Sequence, residues 1–383
     1  MSAVRLATSQ FATSFASRAA VVASAPGRVN LLGEHTDYNG GPVLPVALER
    51  RTAVAAAPSA DWRVVSSLDG VVHELDVNAP LRRQWTDYLV GVVRELRSVG
   101  AAPPGARVAI ASTVPIGAGL SSSAALTVAA AKALALLAGR ALTPADLVEV
   151  AFRAEHDQVG VRCGRMDQTI AVHAERGTAL LIETGVGTMR RVAVPGRLWV
   201  VETGVAHALT GGELNVRRLE CEQALASCRR WRPGLRHLAD LSPGELPDVA
   251  ARLPSPLIAR VRHVVTETAR TRDAARRLMA GDLASVGALL SEGHRSLRDE
   301  FCSTVPEADF LVEQAGMRGA YGARLTGAGW GGAVVVLAPA DREARILAEL
   351  TRDFGDRFGR VPAAWGTRAA AGARREALPP KER

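Results

Sequence analysis

Arg28, Glu34, His35, Asp37 and Asn39 are crowded into a single stretch, GRVNLLGEHTDYNGG, running from Gly27 to Gly41. The run Val21 to Ser24 before it is a short apolar strand, and PVLPVALE after it is another. A chain of this pattern must lead two core strands into and out of a loop full of charge. Such a loop is either an ordinary solvated turn or a place where something charged binds.

The 383 residues exceed what one hydrophobic core usually organises, so two domains are expected, with a boundary near Arg197 to Gly204. We divide the chain into residues 1–200 and 201–383. Hydrophobic residues make up 48% and aromatics only 4%, so Val, Leu and Ala must fill the interior, which suits a soluble α/β or α+β enzyme. The formal charge of +8 would raise the question of nucleic acid. Lys132 and Lys381 are the only lysines, however, and the arginines are spread along the chain rather than clustered. That texture argues against a nucleic-acid partner while remaining compatible with a mildly anionic small substrate. Cys163, Cys221, Cys228 and Cys302 form no C-x-x-C pair, so neither zinc nor a disulfide framework is indicated. No apolar run reaches the ~18 to 20 residues of a membrane helix, and a cytoplasmic monomer or weak homodimer is expected.

Along the chain, RLATSQFATSFA reads as an N-terminal helix, and β-branched runs from Val21 to Ser67 read as strands. Leu89, Val92, Val93 and Leu96 recur at helical spacing in Trp85 to Val99, which Gly100 ends. Later come helical patterns over Glu213 to Arg230, Leu257 to Ala280 and Leu283 to Arg298. GARLTGAGWGGAVVVLAP then reads as two strands about a glycine turn. The tail AAAGARREALPPKER is expected to be disordered or loosely attached.

A second stretch carries chemistry. A strand delivers the chain into PIGAGLSSS, where Gly117 and Gly119 permit close backbone approach and Ser121, Ser122 and Ser123 open an Ala-rich helix. Exposed amides and the helix dipole make an anion seat there, suited to a phosphate chain. One serine would suffice as a cap. It is not a G-x-x-x-x-G-K-[ST] loop, since neither lysine follows such glycines. Nor is GAGWGG a dinucleotide fingerprint, because a strand rather than a helix follows it; it reads either as a tight hairpin turn or as a buttress for a nucleotide or the sugar loop. Glu155 closes one helical stretch and Asp167 lies beyond the loop GVRCGR, so one carboxylate could hold Mg²⁺ while the other takes a proton.

GRVNLLGEHTDYNGGPVLP, VPIGAGLSSSAA, GVRCGRMDQ and GARLTGAGWGG together resemble the galactokinase signature and the motifs of the GHMP kinase superfamily, in the family's order. The resemblance implies an N-terminal domain like domain 2 of ribosomal protein S5 and a ferredoxin-like C-terminal domain, with the site between them. It implies ATP and Mg²⁺, with Gly117, Ala118, Gly119, Leu120, Ser121, Ser122 and Ser123 around the phosphates and Ser123 and Glu155 on the metal. Asp167 would be the base toward a sugar's anomeric hydroxyl, with Arg28 stabilising the reacting groups. Glu34, His35, Thr36, Asp37 and Gly164 would bind the sugar, which answers why the first loop is so polar. The implied reaction is transfer of the ATP γ-phosphate to the anomeric hydroxyl of galactose or a related sugar. An anomeric kinase for a modified or higher-carbon sugar is the alternative, and a non-catalytic sugar and ATP sensor is the competing class. One departure stands out: where the family has Tyr in Y-N-x-R-R, this chain has Leu214 in ELNVRRLEC. Tyr38, Tyr88 and Tyr321 are all distant from it in sequence. Galactose is therefore expected to bind less well than a substrate lacking the matching hydroxyl or extended beyond it.

Overall fold

The computed structural model describes residues 1–161, 163–206 and 212–378; Arg162 of GVRCGRMDQ and the last residues of the tail lie outside them. A six-stranded sheet organises the first half, in the order Arg374–Arg375, Val21–Asn30, Pro45–Pro58, Ala106–Ser112, Trp62–Ser66, Val72–Glu74. All its pairings are antiparallel except that of Trp62–Ser66 with Ala106–Ser112. A smaller sheet joins Pro42–Val43, Thr178–Glu183 and Thr188–Ala193.

Alternation along Pro45–Pro58 shows how the main sheet is covered on both sides. Ala53 and Ala55 pack with Ala7 and Phe11 of the helix Ala3–Phe15. Val54 and Ala56 face Leu89, Val92, Val93 and Leu96 of the helix Thr86–Ser98 and the helix Ser122–Leu137. Ser122–Leu137 is almost purely apolar, as a helix buried nearly all round must be. Each fully buried Leu or Val contributes roughly 1.5–3 kcal/mol, so small side chains in large number replace the few rings of an ordinary core.

The second half is built on a four-stranded antiparallel sheet ordered Gly322–Thr326, Ala333–Leu337, Leu198–Glu202, Ala364–Thr367, with the helices Glu213–Arg229, Leu257–Met279, Leu283–Ser296, Pro306–Met317 and Glu343–Phe358. Glu213–Arg229, Leu257–Met279 and Leu283–Ser296 end within two residues of the stretches read from sequence, whereas Pro306–Met317 was not among them. A boundary at residue 200 would cut the strand Leu198–Glu202, which pairs only within the second sheet; we propose that the two units divide just before Leu198.

The tail corrects its sequence reading. Arg374–Arg375 pairs with Ala23 and Ser24, and Arg51 donates to the carbonyls of Ala371 (2.7 Å) and Gly372 (2.8 Å). A low-complexity composition concealed this because the attachment runs largely through backbone groups, with Glu376 accepting from Ser24 Oγ beside them. One hydrophobic cluster belongs to both units, joining Val29, Leu31, Leu44, Val46 and Leu120 to Val200, Leu278, Leu290, Val335 and Leu337.

Candidate active site

GRVN is strand rather than loop: Val21–Asn30 continues through it, with a bulge where Pro26 faces Arg51 and Arg28 faces Ala47. The bulge re-aims Arg28, which is 5% exposed. Its Nε donates to Asp167 Oδ1 at 2.8 Å and its Nη2 to Oδ2 at 2.9 Å. Its Nη1 donates to the carbonyl of Gly119 at 2.6 Å. The guanidinium thus ties the start of the helix Met166–His173 to the glycine loop through a bidentate fork.

Beyond Asn30 the chain turns into the polar loop. A buried ionic triad holds it: Arg324 Nη2 lies 2.5 Å from Glu34 Oε2 and Nη1 lies 2.5 Å from Glu267 Oε1, with all three side chains essentially inaccessible. Glu267 also accepts from the amide of Gly33 at 2.7 Å and pairs with Arg270. Burial works against its charge, but Arg324 and Arg270 overcome that and hold its carboxyl well below the usual range. Glu34 fares differently, because burial, only partly offset by Arg324, pushes it up to about 7. His35 sits at φ 64°, stacks on Phe301 with centroids 4.1 Å apart, and meets Tyr38 Oη through Nδ1 at 2.9 Å. Burial first, then His263 and Arg324, hold His35 neutral.

A cavity of about 80 Å³ opens among these groups. Arg28, Glu34, His35, Asp37, Gly164, Asp167 and Leu214 all line it. Tyr38, Cys163, Met166, Gly327 and Ala328 complete the wall. His35 Nε2 is buried without a hydrogen-bond partner, while Glu34 Oε2 is met only by the ion pair with Arg324. An unpaired buried polar atom costs ~1–3 kcal/mol, so the cavity is suited to a ligand with hydroxyls. At Gly164 any Cβ would overlap the Asp37 carboxylate, which explains the glycine. Burial, then the neighbouring Asp167, push Asp37 up to about 6.

Thr36 is a correction. Its hydroxyl lies 2.7 Å from the carbonyl of Gly33 and 2.6 Å from that of Pro42, closing the loop on itself rather than facing the cavity.

The glycine loop divides its residues between tasks. Gly117, Ser122 and Ser123 line a second cavity of about 390 Å³, whose apolar walls include Leu68, Trp85, Tyr88, Ile116 and Leu126. Ala118 and Leu120 bury their side chains in the shared core and can offer only backbone. Ser121, at φ 57°, turns its hydroxyl to Asp167 Oδ2 and does not cap the helix. Neither Ser121 nor the side chains of Ala118 and Leu120 are among the residues that line that cavity, and the first-turn amides of the helix stay without that side-chain cap. The GAGWGG turn lies directly behind: a Cβ at Gly332 would come 2.9 Å from the carbonyl of Ala118, and one at Gly327 2.6 Å from that of Gly119.

Glu155 begins the π-turn Ala154–Val159 and is 3% exposed. Thr127 Oγ1 and Gln168 Nε2 each donate to its Oε1 at 2.9 Å, and Ser123 bonds to the same carboxyl. Burial nevertheless pushes it up to about 7. Among the described residues no group of three His, Cys, Asp or Glu could hold a metal by itself. A hard oxygen pair with a charge-starved carboxylate fits Mg²⁺, which takes one or two protein oxygens together with phosphates and water.

Sequence reasoning missed Tyr38, Arg324 and Glu267. Arg324 stood inside the quoted GARLTGAGWGG, and an arginine in a run otherwise fit for a buried strand was the available signal.

Three family models match the chain: the galactokinase galactose-binding signature over residues 9–58, the GHMP kinases N terminal domain over 87–175, and the GHMP kinases C terminal domain over 272–356. A galactokinase of Roseiflexus sp. (strain RS-1) is 43% identical over 360 residues, covering 92% of each chain. One of Chloroflexus aggregans is 42% identical over 348 residues, 89% of each. The crystal structure of Lactococcus lactis galactokinase complexed with galactose superposes with a TM-score of 0.91 at 29% identity, covering 97% of this chain and 99% of that one. The Methanococcus jannaschii mevalonate kinase shares the fold, with a TM-score of 0.67 at 17% identity over 91% and 98%.

Proposed function

The chain belongs to the galactokinase family of GHMP kinases, and from that premise we propose that it transfers the γ-phosphoryl group of ATP to the anomeric hydroxyl of galactose. The observation that carries this reading is the junction of the two cavities at Asp167. Its carboxylate lines the polar cavity, while Ser121 and the Arg28 fork link it to the glycine loop that leads into the other.

Galactose fits the polar cavity chemically. His35 Nε2 would gain a partner from one of its hydroxyls, and Glu34 and Asp37 would accept from others. Asp167, aimed by Arg28, takes the proton of the anomeric hydroxyl as the oxygen attacks phosphorus. The P–O bond to ADP breaks as the new one forms, and the product is a sugar 1-phosphate. Arg28 and the open amides of Ser122–Leu137 face the charge on the transferred group. The apolar walls at Trp85, Tyr88 and Ile116 suit the adenine ring. Ser123 and Glu155 would hold Mg²⁺, which when bound neutralises phosphate charge.

Phosphorus and carbon NMR of the product from Mg·ATP and galactose tests the assignment. Phosphate on C1 is expected, and phosphate on any other carbon, or no turnover with galactose, would overturn it.

A further inference from the structure

A cavity of about 660 Å³ stands apart from the two already described. Arg51, Arg176, Arg368 and Arg374 line it, against the single carboxylate of Glu49. Arg51 and Thr52 are neighbours on Pro45–Pro58 and face opposite sides of the sheet. Thr52 borders the cavity of the glycine loop, so the sheet itself separates the two chambers.

Arg51 is the built part. It is 9% exposed, and its donors are taken up by Ser24 Oγ (2.8 Å), Ser24 O (3.1 Å), Ala371 O (2.7 Å) and Gly372 O (2.8 Å). Every one of these partners is neutral. The Oε1 of Glu376 accepts from Ser24 Oγ and from Arg374 Nε, and does not bond Arg51 itself. Glu49 Oε2 accepts from the backbone amide of Arg368 at 3.2 Å. Burial, with Arg374 and Arg176 adding repulsion that Glu376 offsets only in part, lowers Arg51 to about 10. A buried cation crowded by other cations gains from further counter-charge.

We propose that this cavity is a second anion site that takes a small multivalent phosphate compound and clamps the chain where residues 368–372 cross from the second sheet to the first. Guanidinium forks match phosphate oxygens in pairs, and the volume lies in the ordinary range of small-ligand sites, about 300–1,000 Å³. Arg51 supplies fixed charge, while the exposed Arg176, Arg368 and Arg374 close on the ligand. The site does not depend on the substrate of the catalytic cleft.

The test keeps the phosphate loop filled. Full-length protein saturated with the non-hydrolysable ATP analogue AMPPNP and Mg²⁺ is titrated calorimetrically with inorganic pyrophosphate, and separately with galactose 1-phosphate, to distinguish a diphosphate from a monoester. At least one should bind with a Kd below ~1 mM and raise the unfolding temperature. The double variant Arg176→Ser/Arg368→Ser changes only exposed side chains, and should weaken that binding by about tenfold or more while leaving AMPPNP affinity and basal turnover unchanged. Failure of both compounds to bind by ~10 mM, or equal binding by the double variant, would overturn the proposal.

Discussion

Asp167 is held on both oxygens before any sugar arrives, by Arg28 on each and by Ser121 on one. Removing its charge while keeping its shape separates proton transfer from positioning. Asp167→Asn should lower kcat by at least ~10²-fold, with AMPPNP affinity by calorimetry nearly unchanged. Retention of most activity would mean that Arg28 and the metal suffice. Glu155 lends itself to a different measurement. Its carboxyl rises from 4.5 to about 7 in the fold, so the native chain keeps a proton that the unfolded chain releases between those values. That contribution is complete below pH 4.5 and is lost as pH rises through about 7. Glu155→Gln should therefore flatten the fall in ligand-free stability across this window, measured by urea unfolding against pH; a slope equal to wild type would refute the burial account. Leu214 lines the sugar cavity without offering a hydroxyl. A net hydrogen bond is worth ~0.5–1.5 kcal/mol, so Leu214→Tyr should raise kcat/KM for galactose about tenfold, and unchanged turnover would remove Leu214 from the specificity argument. Tyr38 does not replace the missing group, since its hydroxyl already meets His35.

At the scale of elements, the glycine turn between Gly322–Thr326 and Ala333–Leu337 is the support on which the phosphate loop rests. Gly332 has φ 90° and no room for a Cβ before the carbonyl of Ala118. Gly332→Val should raise the KM for ATP several-fold and lower stability, while leaving galactose affinity in an ATP-free titration closer to wild type. Equal effects on both ligands would mean that the whole cleft had shifted. Much of this was legible from local sequence. The periodicity of Leu89, Val92, Val93 and Leu96 marked its helix, and Gly100 with φ 66° marked its end. The polar loop and the serine-rich helix start identified both cavities. What escaped was non-local. Nothing near Arg324 in sequence reveals that Glu34 and Glu267, from far-separated segments, meet on it. Thr36 looked like its polar neighbours, and only the fold shows its hydroxyl closing the loop. The division of PIGAGLSSS into cavity-lining and core-facing residues likewise depends on the turn packed behind it.

For the whole molecule, the shared cluster from Val29 to Leu337 predicts a single cooperative transition. A large apolar interface removes the usual independence of two units, so differential scanning calorimetry should show one peak, and two resolved peaks would contradict it. The end of the chain contributes to that cooperativity. Truncation after residue 368 removes the Ala371 and Gly372 acceptors of Arg51 and the edge strand Arg374–Arg375, leaving a buried cation bonded to Ser24 alone. We expect a loss of about 3 kcal/mol or more, read as a lower urea midpoint. The same crossing has a topological meaning. Because strands of the first sheet stand on both sides of it in sequence, the proposed unit beginning at Leu198 is an insert within the other. No trimming from either end can shed that insert and leave the host sheet whole. During synthesis the host sheet must wait for its edge strand Arg374–Arg375 until the insert has been made.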